Sequence, residues 1–229
     1  NPSLYKKLPF DPLRDLAPLT RLADSTNILS THPSTNVKSV KELIAAARSR
    51  SLNAGSSGIG GSGHLAVELF NLQTGVKMAH VPYKGGGPAM IDLLAGNIHL
   101  IFATAASAVQ HIKTNKINGL GVTTLKRWSF MPELPTIDET LPGFEVNSWY
   151  GLMVPAGTPK AIVARLAGET LRILKVPEVA EALQRLGMEP DPLDPDAFAA
   201  KIRADIARYA KVAKAAGKDP LAFRRKLME

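Results

Sequence analysis

The chain contains no cysteine among its 229 residues. This excludes disulfide bonds, thiolate metal sites and a cysteine nucleophile. It has no run of about 18 consecutive apolar residues, the length that a membrane-spanning helix needs. Acidic residues are in the minority, with 20 Asp and Glu against 28 Lys and Arg and a net charge of +8. This excess favours anionic partners, although it is also compatible with solubility alone.

Two further classes of function find no support in the sequence. The basic residues are scattered and aromatic residues make up only 6% of the chain, which argues against a nucleic-acid surface. The five histidines show neither an H-E-x-x-H motif nor clustered ligand spacing, so we predict no metal site. No set of nucleophile, base and orienting residue is evident either. We therefore predict no catalytic site and no cofactor.

Alternating strand and helix signals predict an α/β domain over residues 33–146. Predicted strands and glycine-rich loops alternate with helices, and strands joined in this way form parallel sheets with helices on their faces. The first helix has a capping box made by Ser39 and Glu42. The predicted strands are Leu52–Ala54, Lys77–Val81, His99–Thr104 and Leu120–Thr123.

The remaining residues are assigned to another domain. Leu16–Asp24 and Asn27–His32 are predicted strands, and everything after Thr158, taken as a helix N-cap, is predicted to be helical. A long helix after Asp194 carries an amphipathic stripe that needs a surface to cover. Its members are Phe198, Ile202, Ile206, Tyr209 and Ala213. We predict a first domain from residues 1–32 and 147–229, with chain crossings near residues 32 and 147, and one more short helix at Asp219–Glu229.

The stretch NAGSSGIGGSGHLAVELF, residues 53–70, raises the question of a ligand. Gly58, Gly60 and Gly63 match G-x-G-x-x-G between a strand and a helix, as in dinucleotide sites. The next strand, however, ends in HVPYK and lacks the acidic residue that binds a ribose. A P-loop fails too, because Gly61 and His64 stand where lysine is needed. A nucleotide- or phosphate-binding enzyme that uses GIGGSG remains the alternative function.

A second glycine loop, VPYKGGGPAM at residues 81–90, also precedes a predicted helix. Helix N-termini carry unpaired N–H groups and a partial positive charge, so a glycine-lined approach to them makes an anion site. Because both loops follow parallel strands, we expect them at one edge of the sheet. For each loop, a tight strand-to-helix turn without a ligand is the alternative.

Four segments carry a resemblance: NPSLYKKLPFDPLRDLAPLTRLA, SSGIGGSGHLAVELF, HVPYKGGGPAMIDLLAGNIHLIF and SWYGLMVPAGTPKAIVARLAGE. In this order they are similar to the Bug family of periplasmic solute receptors, which serve tripartite tricarboxylate transporters. The resemblance implies an α/β fold of the periplasmic binding protein type, with two α/β domains joined by two crossing strands. It further implies a monomeric, non-enzymatic periplasmic receptor that holds a small carboxylate in a cleft between domains. Its implied partners are permease subunits or a membrane sensor kinase.

The resemblance also implies a set of ligand-binding residues at three strand ends. They are Ser56, Ser57, Gly58, Gly60, Ser62, Tyr83, Gly85, Gly86, Ala89, Ala103 and Thr104. Gly61 stands where the family usually has Ser or Thr, and Ala103 where many members have Asp. Without that Asp, the protein has no carboxylate there to pair with an ammonium group, which favours a ligand that is a plain carboxylate over an amino acid. The family's N-terminal strand, loop and helix, which contribute to the carboxylate clamp, are expected to be missing from this chain.

Overall fold

The computed structural model describes residues 9–185 and 187–215. The chain forms two compact units, one from residues up to Ser25 and from Trp149 onward, the other from Thr26–Ser148. The strands are β1 (Leu16–Ser25), β2 (Asn27–Thr31), β3 (Asn53–Ser56), β4 (Ala79–Pro82), β5 (Leu100–Thr104), β6 (Asn118–Val122), β7 (Ser148–Pro155) and β8 (Met188–Leu193). The helices are α1 (Val40–Ser49), α2 (Ser62–Thr74), α3 (Gly86–Leu94), α4 (Ala105–Lys113), α5 (Lys160–Ile173), α6 (Pro177–Arg185) and α7 (Pro195–Ala215).

The Thr26–Ser148 unit is built on a five-stranded sheet with the order β4-β3-β5-β2-β6. Strands β4, β3 and β5 are parallel, as the strand and helix alternation predicts. Strand β2 runs antiparallel to both of its neighbours, β5 and β6. The sheet is therefore mixed, and β2 begins at the edge where β3, β4 and β5 end.

The structure divides the chain at a different place from the sequence-based boundary. Strand β2 was grouped with residues 1–32, but it lies in the five-stranded sheet, and the crossings fall between Ser25 and Thr26 and between Ser148 and Trp149. All five residues of β2 are buried. A strand buried on both faces needs helices above and below it, which the α/β unit supplies. The expected turn between β1 and β2 therefore joins two sheets.

The other unit has a three-stranded sheet with the order β7-β1-β8. The prediction that everything after Thr158 is helical was wrong, because Met188–Leu193 forms β8 and pairs antiparallel with β1. This strand contains Pro190 and Pro192 and therefore lacks a strand signal. It lies at the edge of the sheet, where prolines are tolerated.

Helix starts agree with the sequence signals in part. The Ser39 side chain accepts a hydrogen bond from the Glu42 N–H at 3.2 Å, as predicted, whereas the Glu42 carboxylate accepts from the N–H of Lys38 at 2.7 Å. The capping box is thus only half formed. Thr158 does not cap α5: its hydroxyl donates to the Pro155 carbonyl at 2.8 Å, and Pro159 is the N-cap residue.

Each of the two units has a core of its own. In the five-stranded unit, Phe70, Phe102 and Phe144 form a buried aromatic cluster with ring centroids 6.1–6.2 Å apart. In the other unit, α7 packs on β1 through the predicted stripe, in which Phe198 is fully buried. The side chain of Ala213 and the helix predicted at Asp219–Glu229 lie outside the described residues. Over the described ranges, no helix has both the length and the apolar character needed to cross a bilayer.

Candidate functional site

The carboxyl ends of β3, β4 and β5 lie side by side. Ser56 pairs with Pro82 on β4, and Gly55 pairs with Ile101 on β5. Because β2 is antiparallel to β5, its first residue, Asn27, pairs with Thr104 at the same edge. The expectation of a shared edge is thus met, with β2 as an additional contributor.

Backbone hydrogen bonds join the two glycine loops. The Tyr83 N–H donates to the Ser56 carbonyl and the Gly85 N–H donates to the Ser57 carbonyl, both at 3.0 Å. Gly58 and Gly85 have φ of +144° and +118°, in a region of backbone conformation that residues other than glycine rarely adopt. The glycines therefore shape the loops, whether or not a ligand approaches them.

Helices α2, α3 and α4 all begin at this edge, and none of their N-cap residues makes a side-chain capping bond within the described structure. These N-cap residues are Gly61, Gly85 and Thr104. By contrast, Ser39 caps α1 in the same unit. An uncapped N-terminus can offer its first N–H groups to a ligand, and each N-terminus carries roughly half a positive charge from the helix dipole. In α4 the first of these groups is already used, because the Ala105 N–H donates to the Thr26 carbonyl at 3.0 Å, and Pro88 in α3 has no N–H.

The predicted binding residues differ in what they expose at this edge. Ser57 and Thr104 are exposed and five others are half-buried, namely Gly58, Gly60, Ser62, Gly85 and Gly86. Ala89 and Ala103 are buried in the core beneath the loops. The exposed and half-buried members are accessible to solvent, whereas the two alanines are packed in the core.

Ser56 and two histidines form a buried cluster beneath the first loop. The Ser56 Oγ lies 2.6 Å from Nε2 of His80 and 3.0 Å from the carbonyl oxygen of Gly58. The His80 ring stacks on His64 at a centroid distance of 4.1 Å, and the His64 Nδ1 accepts the N–H of Gly60 at 3.1 Å. Sequence reasoning found no set of nucleophile, base and orienting residue, and it did not anticipate this contact between Ser56 and His80. Ser56 is fully buried, and its contacts with His80 and with the Gly58 carbonyl stabilise the loop.

Tyr83 points away from the open part of the edge. Its ring packs against the core and its hydroxyl donates to Oδ2 of Asp92 on α3 at 2.7 Å. Burial, assisted by this hydrogen bond, raises the pKa of Tyr83 to about 12. Hydrogen bonds from Tyr83 and then Asn97 lower the pKa of Asp92. The phenol thus anchors the second loop to α3.

Asn27 is a residue of this edge that sequence reasoning missed. Its side-chain Oδ1 accepts from the Ser62 hydroxyl at 3.4 Å, and the residue is 1% exposed. It lies in a separate strand, far in sequence from the glycine loops, so no local motif marks it.

As for metals, the part of the chain that the structure describes holds no group of three or more potential metal ligands.

Comparison with known proteins identifies the family. The model of the tripartite tricarboxylate transporter family receptor matches residues 1–218. The chain belongs to this family. Among its relatives, BugT of Bordetella pertussis is 32% identical over 94% of this chain and 67% of its own length. A UPF0065 protein of a Pseudomonas species is 35% identical over 91% of this chain, which spans 63% of that relative.

Several solved structures share the fold of this chain. The R. palustris protein Rpa4515 with adipate has a TM-score of 0.83 at 38% identity, covering 93% of this chain and 73% of its own. The periplasmic binding protein BugD has a TM-score of 0.82 at 31% identity, covering 95% and 75%. MatC of Rhodopseudomonas palustris, with bound malate, has a TM-score of 0.76 at 28% identity, covering 92% and 74%. The resemblance to Bug receptors and the α/β fold of the periplasmic binding protein type are confirmed.

Proposed function

We propose that this chain acts as a periplasmic solute-binding receptor, which captures a small carboxylate and presents it to the membrane subunits of a tripartite tricarboxylate transporter. One observation carries the proposal. Within the described residues, α2, α3 and α4 begin uncapped at a single sheet edge. That edge supplies N–H donors and positive potential where an anion can approach bare backbone.

The chemistry of the loops favours a carboxylate. The N-terminus of a helix stabilises a nearby negative charge by about 0.3–1 kcal/mol, and up to about 2 kcal/mol where the site is partly buried. The exposed Ser57 hydroxyl adds a donor beside α2. In this proposal, recognition rests on these hydrogen bonds and on the helix dipoles.

The relatives support the ligand class and the location. Adipate and malate, the ligands named for two of the solved receptors, are both dicarboxylates. Ala103 places no carboxylate at the end of β5, which agrees with a ligand that lacks an ammonium group. The family description supports the transporter as partner, and the name of BugD supports the periplasm.

A substitution at Gly61 that places a carboxylate at the start of α2 tests the site. Gly61 has φ −72° and ψ 167°, the extended conformation of an N-cap residue. A Cβ there would meet only ordinary contacts, the closest being Ser57 Oγ at 3.6 Å. In Gly61→Asp, the new carboxylate can cap α2 and occupy the place of a ligand carboxylate. We expect the free energy of unfolding to rise by a few tenths of a kcal/mol or more, while affinity falls at least about tenfold.

Calorimetric titration with adipate and with malate measures the affinity. Ser39→Asp is the matched control, because it adds the same charge at the N-cap of α1, which is already capped. Unchanged affinity in Gly61→Asp, or binding of NAD in place of both dicarboxylates, would refute the proposal and favour the nucleotide-binding alternative.

A further inference from the structure

The side chain of Asn27 is buried with an unused donor. Among the residues that the structure describes, its Nδ2 has no hydrogen-bond partner, although the residue is only 1% exposed. Buried polar groups in folded proteins are nearly always hydrogen-bonded, and an unpaired donor costs free energy that the unliganded chain does not recover. An exception of this kind at a candidate site calls for a functional explanation.

The strand does not need the Asn27 side chain to hold its position. Its backbone N–H donates to the Thr123 hydroxyl at 3.0 Å, and its carbonyl accepts from the Thr123 N–H at 3.0 Å. The side chain is therefore directed elsewhere, toward Ser62, the first residue of α2. Two independent features thus meet at one point, namely an uncapped helix N-terminus and a buried amide with a free donor.

We propose that Asn27 Nδ2 donates a hydrogen bond to the ligand carboxylate bound at the first turn of α2, so that Asn27 is a specificity-determining residue for acceptor-only groups. This inference rests on the proposed function. A carboxylate offers only acceptors, which suit an amide N–H together with the helix N–H groups. The terminal torsion of asparagine is soft, so the amide can turn toward an oxygen at α2. A ligand with an ammonium group would leave the same donor unpaired.

Asn27→Leu tests the inference with little change of shape. Replacing a buried polar group by an apolar group of similar size removes the unpaired donor, and the fold is expected to retain its stability or to gain some. Affinity for adipate and malate should fall about 10- to 100-fold, the range for hydrogen bonds to a charged group. Asn27→Asp should bind even more weakly, because it sets two negative charges against each other.

Thr31 provides a matched control on the same strand. It is fully buried, and among the described residues its Oγ1 also lacks a partner, but it ends β2 at the opposite edge, paired with Leu100. Thr31→Val should therefore leave both affinities unchanged. The measurements are calorimetric titration with adipate and malate and thermal unfolding of each unliganded variant.

The outcomes separate this inference from the function on which it rests. If Asn27→Leu is folded and binds both dicarboxylates within twofold of the unmodified chain, while Gly61→Asp does not, the role of Asn27 is overturned and the receptor proposal stands. If Thr31→Val loses affinity as strongly as Asn27→Leu, the effect belongs to the strand and the inference also falls. If the unmodified chain binds neither adipate nor malate, the proposed function fails, and this inference fails with it.

Discussion

Two glycines in different helices should respond oppositely to alanine. Gly63 is the second residue of α2, and the exposed Gly168 lies within α5. A Cβ on Gly63 would stand 2.7 Å from the carbonyl oxygen of Phe102, whereas a Cβ on Gly168 would meet none of the described atoms beyond its own helix within 4 Å. Phe102 lies in β5 and is paired with Leu29 of β2. Its carbonyl therefore cannot retreat without disturbing the sheet.

The magnitudes follow from the two local environments. Alanine is favoured over glycine in a helix interior by about 0.8–1 kcal/mol, so Gly168→Ala should raise the free energy of unfolding by about 0.5–1 kcal/mol. Forcing one extra methyl group into a packed site costs about 1–3 kcal/mol. After the helix gain, Gly63→Ala should lower the free energy of unfolding by up to about 2 kcal/mol. For a chain of this size, each kcal/mol shifts the melting temperature by about 2–4 °C.

Thermal and urea unfolding, followed by far-ultraviolet circular dichroism, measure both variants beside the unmodified chain. We expect Gly168→Ala to melt higher and Gly63→Ala to melt lower, with a separation of about 1–12 °C. Equal or inverted melting temperatures would refute the reasoning, because they would mean that α2 is not packed against the end of β5.

Two further predictions concern other parts of the molecule. A Cβ on Gly151 would lie 2.3 Å from the Phe198 ring, which is fully buried, so Gly151→Ala should cost about 1–3 kcal/mol; urea unfolding that shows no loss would contradict this packing of α7 on the sheet. Burial, and to a lesser extent the charge of Arg50, lowers the pKa of His99, whose Nδ1 accepts the Asn53 N–H at 2.9 Å. The unfolded chain then binds the proton more tightly, so this contribution to stability is complete above pH about 6.5 and is lost as the pH falls through the lowered pKa. An NMR titration that places His99 at or above the ordinary value would contradict the assignment.

Much of the candidate site could be predicted because its signals are local. The glycine loops, the parallel arrangement of strands β3, β4 and β5 and their shared edge all follow from residues adjacent in sequence. The roles of Ser56 and Tyr83 could not be predicted in this way. Both side chains are directed inward, to His80 and Asp92, because each finds its hydrogen-bond partner on another element. Asn27 was missed for the same reason, since its relation to Ser62 exists only once β2 lies beside β5.

The sequence by itself determined the receptor family, the α/β class and the glycine-rich helix starts, because family motifs, periodicity and helix signals depend on residues close together in the chain. Only the tertiary structure decided that β2 belongs to the five-stranded sheet and that the proline-containing Met188–Leu193 is a strand. Strand pairing is a long-range interaction, and an edge position tolerates prolines that a local pattern cannot reconcile with a strand. The tertiary structure likewise decided which polar side chains support the loops, and among the described residues it leaves the Nδ2 of Asn27 at this edge without a hydrogen-bond partner.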